Sequence, residues 1–134
     1  MTVGKVLAAV SPVFLALTLT GCGNQVQSQF NAADICKGSM ATALEKNVND
    51  ITVVDRNGRL IYLKYTNKED WKTDFYRCRV DDNHVVWGPN KGEWQNEKTG
   101  IITVSGNRDQ LTVTEATEQG DVTKQYSLDE LRGS

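Results

Sequence analysis

The feature that most constrains this chain is a change of hydrophobic period near residue 50. Upstream the apolar residues recur at helical spacing; downstream they alternate, with turn chemistry every few residues. Asn31 can cap a helix whose first turn holds Asp34. Cys36, Met40, Ala43 and Leu44 then fall on one face of it. The run Asn47 to Asp50 should end it, since short polar side chains compete for backbone hydrogen bonds.

Seven strands are expected beyond that point: Ile51 to Val54, Leu60 to Tyr65, Lys72 to Val80, Val85 to Trp87, Ile101 to Ser105, Gln110 to Ala116 and Val122 to Leu128. Asn57-Gly58 should make a tight hairpin between the first two. Asp81 to His84, a Gly88 to Gly92 loop, Gly106-Asn107 and Gln119-Gly120-Asp121 supply the other breaks. On the third strand, Tyr76, Cys78 and Val80 share one face, while Phe75, Arg77 and Arg79 share the other. The expected fold class is α+β: one N-terminal helix on an antiparallel meander, or closing a small barrel, of about seven strands.

Residues 1–21 read as an export signal, with Lys5 near the start, an apolar run from Val6 to Leu19, and small residues before Cys22. The run spans roughly 21 Å as a helix, short for a hydrocarbon core of about 30 Å. Leu19-Thr20-Gly21-Cys22 resembles the lipobox of bacterial lipoproteins. That resemblance implies a diacylglycerol thioether on Cys22, cleavage before it, and a stable lipid anchor, because each buried methylene contributes about 0.8 kcal/mol. Gly23 and Asn24 follow where inner-membrane lipoproteins carry Asp, so the resemblance implies the periplasmic face of the outer membrane. Residues 22–29, polar and without period, would then be a flexible tether, and 30–134 a single periplasmic domain.

If lipid takes Cys22, Cys36 and Cys78 are the remaining pair, and an oxidising compartment favours their disulfide. A metal or redox role for the two is the alternative, without a CxxC spacing to recommend it. The bridge would close a loop of about 43 residues, rated by chain entropy at about 4 kcal/mol. Net charge is −2, and loss of Lys5 with the signal makes the remainder more acidic, which argues against a nucleic-acid partner.

His84, the single histidine, falls in an expected turn with no identifiable nucleophile near it in sequence. The acid pairs Glu69-Asp70, Asp81-Asp82 and Asp129-Glu130 could in principle cleave glycosidic bonds, yet read more simply as solvated turns. Asp55-Arg56-Asn57-Gly58 lacks the alternating ligands and distal Glu of a calcium loop. No cofactor or catalytic residue is assigned. The aromatics are the better lead: Trp71, Trp87 and Trp94, with Tyr62, Tyr65, Phe75 and Tyr76, crowd residues 62–94. Alternation cannot bury them all on one face, and exposed rings beside Arg77 and Arg79 would suit contact with a protein.

Ile35-Cys36-Lys37, Trp71, Tyr76-Arg77-Cys78-Arg79-Val80, Val86-Trp87-Gly88 and Gly92-Glu93-Trp94 resemble a family of small exported proteins of proteobacteria and their phages. The resemblance implies the Cys36 to Cys78 pairing and brings no catalytic residues; Glu93 stands where that pattern has arginine. The expected function is therefore a lipid-anchored, non-enzymatic binding or accessory module of the envelope, with a protein partner. The alternatives are an inhibitor of an envelope enzyme such as lysozyme, a phage superinfection-exclusion lipoprotein, and a carboxylate-dependent cell-wall hydrolase.

Overall fold

The computed structural model describes residues 29–95 and 101–133. The export signal, Cys22 and the tether to residue 28 lie outside them. Helix α1 (Ala32–Leu44) starts on a reciprocal cap: the Asn31 side chain accepts from the Asp34 amide at 2.8 Å, and the Asp34 carboxylate accepts from the Asn31 amide at 3.2 Å. It ends earlier than Asn47. Glu45 adopts a left-handed φ of 56°, and the amides of Glu45 and Lys46 close back on the carbonyls of Thr42 and Ala41. Asn47 instead caps a short 3₁₀ turn, Val48–Asp50.

Seven strands follow: β1 (Ile51–Asn57), β2 (Leu60–Thr66), β3 (Thr73–Asp81), β4 (His84–Pro89), β5 (Ile102–Asn107), β6 (Gln110–Thr117) and β7 (Gly120–Ser127). They pair antiparallel in chain order, so the sheet is an open meander rather than a closed barrel. The expected Asp81 to His84 turn is present, centred on Asp82-Asn83, while the first hairpin and the Gly106-Asn107 turn are shifted by one or two residues. The first hairpin turns on Gly58-Arg59, with Asn57 paired to Leu60, and Gly58 takes φ 63° at the position where a type II′ loop wants glycine. Asp82-Asn83 and Arg108-Asp109 repeat that scheme with left-handed Asp82 and Arg108, so Gly106 and Asn107 stay within β5. His84 closes the Asp81 to His84 turn and is the first, exposed residue of β4. The last strand stops at Ser127, which caps a helix α2 (Leu128–Arg132) through Glu130. Sequence alternation missed that helix because it is little more than one turn long.

The inner face of the sheet carries Ile51, Ile61, Leu63, Val80, Val85, Ile102, Val104, Leu111 and Val113, all buried against Ile35, Cys36 and Met40 of α1. Cys36 and Cys78 form the disulfide, both fully buried, joining α1 to the middle of β3. Arg132 of α2 reaches back to the buried Asp34 carboxylate, 2.9 Å from Nη2, and fastens the last helix to the start of the first. The strongest pairing runs through β1 to β4 and through β5 to β7; between β4 and β5 the register is only His84 with Thr103 and Val85 with Ile102.

A meander puts alternate turns at opposite ends. Asn31, Arg56 and Arg132 surround one hollow, so the chain enters α1 at the end that holds the first hairpin. The β2 to β3 loop, residues 67–72, and the β6 to β7 turn lie at the other end, where Lys68 pairs with Asp50 at 2.9 Å.

Candidate binding site

No helix among the described residues covers the outer face of β1 to β4, and period-2 alternation determines what it shows. Tyr62 stands opposite Arg77, and Lys64 opposite Phe75. A bulge between Val53 and Asp55 leaves Val54 without a cross-strand partner. Val54, Tyr62, Phe75 and Asn90 line a shallow hollow of about 300 Å3. Phe75 is 50% exposed, Val54 45%, and Trp71, on the adjoining loop, 72%. Large apolar side chains left in water at such levels are the part of a surface that gains most by association.

Trp71 owes its position to a tight loop. Its amide donates to the Asn67 carbonyl at 2.7 Å, the Asn67 amide takes the Lys72 carbonyl at 2.9 Å, and Trp71 itself sits at φ 61°. A bulky residue in the left-handed region is strained, so this conformation is held by the surrounding hydrogen bonds and not by its own preference.

The three tryptophans have three environments. Trp87 points inward, half-buried against the core, its ring 6.0 Å from that of Tyr76 in an edge-to-face pair. Trp94 lies over the outer face, with the Arg77 guanidinium 4.2 Å and that of Arg79 5.5 Å from its ring centre. Residues 88–95 fold back across β3 and β4 to put it there: Arg77 Nη2 donates to the Gly92 carbonyl at 2.6 Å, and the Gln95 amide to that of Trp87 at 2.7 Å. Gly88 makes room for this strap, since a Cβ there would stand 2.5 Å from the Glu93 carbonyl oxygen. Arg79 also holds Asp81 at 3.0 Å, and Asp81 takes Arg59 as well. Arg77, Arg79 and Trp94 are thus engaged with one another, and Trp71 and Phe75 present the open surface.

A second concavity, about 700 Å3, opens on the inner face between the end of α1 and strands β6 and β7. Glu115 faces into it, as does Glu130 of the Asp129-Glu130 pair, whereas Glu69-Asp70 and Asp81-Asp82 do not. Burial first, then the neighbouring Glu45, push the Glu115 carboxyl above its ordinary range. Tyr126 Oη and Thr42 Oγ1 meet at 2.9 Å on the cleft wall. Pairs of adjacent acids in sequence could not reveal Glu45 and Glu115, which come from a helix cap and a strand. The readable signal is the alternation Leu111, Val113, Glu115: two fully buried residues and then a carboxylate in the same row.

Comparison with protein-family models, with curated proteins and with solved structures gives no match.

Proposed function

We propose that this chain is a lipoprotein anchored through Cys22 at the periplasmic face of the outer membrane, where it acts as a non-enzymatic binding module for another envelope protein. The observation that carries the reading is the exposure of Phe75 and Val54 at the Tyr62 hollow on the outer face of the sheet, with exposed Trp71 on the loop that leads into β3. Burying side chains of this size contributes about 1.5–3 kcal/mol each, enough for a small patch to dominate an interface. The lipobox resemblance of residues 19–22 and the buried disulfide both fit an exported, membrane-held protein.

The test has two parts. Cys22→Ser should abolish fatty-acid labelling and release the protein from membranes. Capture of the lipidated protein from native membranes should recover a partner that a Trp71→Ala, Phe75→Ala double variant loses; recovery of the same proteins by both would remove the sheet face from the proposal.

A further inference from the structure

We infer that the inner-face cleft at Glu115 is a separate binding site for a ligand bearing an alkylammonium group, such as a lysine side chain or an amine-terminated chain. This does not rest on the anchoring or partner reading. The cleft, about 700 Å3, is large enough for a small ligand. Its apolar lining comes from Val48, Val122 and Ala41, and its polar groups converge where the helix ends.

Proton bookkeeping sets the chemistry of the ligand. Thr42 has one hydroxyl proton, and it is donated to the Gly38 carbonyl at 3.0 Å. The 2.9 Å contact between Thr42 and Tyr126 must then use the Tyr126 proton, so the phenol oxygen turns to the cleft as an acceptor. Glu115 and Glu45 add two carboxylates, which also only accept when ionised. Helix α1 points its negative end here and has no basic residue in its last turn to neutralise it. Two lysines share the lining, Lys46, which lies over the Tyr65 ring at 5.4 Å, and Lys124; against Glu45, Glu115 and Glu130 they leave one carboxylate in excess. Glu115 therefore sits partly desolvated beside a like charge, in a site that offers acceptors, negative potential and an apolar wall. A cationic donor on a hydrocarbon stem satisfies all three.

The experiment is an NMR titration of isotope-labelled full-length protein, purified as cells make it in a maltoside detergent. The probes are 1,5-diaminopentane and, as a control of equal carbon count, glutarate. Saturable shifts of the Glu45, Glu115 and Val122 amides are expected with the diamine and not with glutarate. Glu115→Gln should weaken the diamine by about tenfold or more, the usual worth of a charged hydrogen-bond partner. Glu45→Gln, at an exposed position, should weaken it too and serves if the first variant folds poorly. Absence of saturable shifts, equal shifts with glutarate, or unchanged affinity in the variants would overturn the assignment.

Discussion

Arg77 and Trp94 are partners within this chain: a guanidinium on the outer face of β3 lies 4.2 Å from the indole that the 88–95 segment lays across it. The pair converts an irregular segment into a fixed strap, and Gly88 is the position that lets it close. Gly88→Ala should displace the strap, because the added methyl would meet backbone that has no side-chain freedom to yield. The expected signs are a shift in tryptophan emission and a loss of stability of about 1–3 kcal/mol by urea titration. An unchanged spectrum and midpoint would show that the strap does not depend on this close approach.

The disulfide is expected to matter as much as a large core side chain. It spans 42 residues and ties α1 to the centre of the sheet. Replacing both Cys36 and Cys78 by Ala should cost about 2–5 kcal/mol, read as a lower denaturant midpoint that dithiothreitol reproduces in the wild type.

Ser39 carries a fully buried hydroxyl on α1 with no hydrogen-bond partner among the described residues. Leaving such a group unpaired costs about 1–3 kcal/mol, so Ser39→Ala should be neutral or stabilising despite its place in the core. A clear loss of thermal stability would mean the hydroxyl has a role in the folded protein.

Glu115 supplies a pH prediction. Its folded carboxyl is raised above the ordinary value near 4.5, so protonation favours the folded state and ionisation opposes it. The sign is opposite to that of a salt-bridged acid: the stability advantage is present below pH 4.5 and is lost as pH rises through the raised value. Lys46 and Lys124 face the same cleft as Glu45, Glu115 and Glu130 and moderate the effect. Glu115→Gln should match the wild type at pH 4 and exceed it at pH 7 in unfolding midpoint. A gap of equal size at both pH values would contradict this.

Much of the architecture was legible in the residues. The Asn31 and Asp34 cap, the seven alternating runs and the two faces of β3 all follow from local patterns, because capping and pleating act within a few positions. The turns were less legible. Arg108 adopts a left-handed φ where Gly106 looked the better candidate, since strand register overrides the preference of one residue. Glu45 ends α1 in a conformation glycine would favour, which shortened the helix against expectation. The sites were least legible. That Trp87 packs inward while Trp94 crosses the outer face depends on a fold-back that no spacing reveals, and the Glu115 cleft joins residues seventy positions apart from Glu45.

We propose that exposed Trp71 and Phe75 meet an envelope protein. The most direct test is a photo-crosslinking amino acid placed singly at Trp71, at Phe75 and, as a control at the opposite end of the sheet, at Asn107, in the lipidated protein in living cells. One common crosslinked species is expected from the first two positions and none from the third. Crosslinks absent from both patch positions, or equally strong from Asn107, would contradict it.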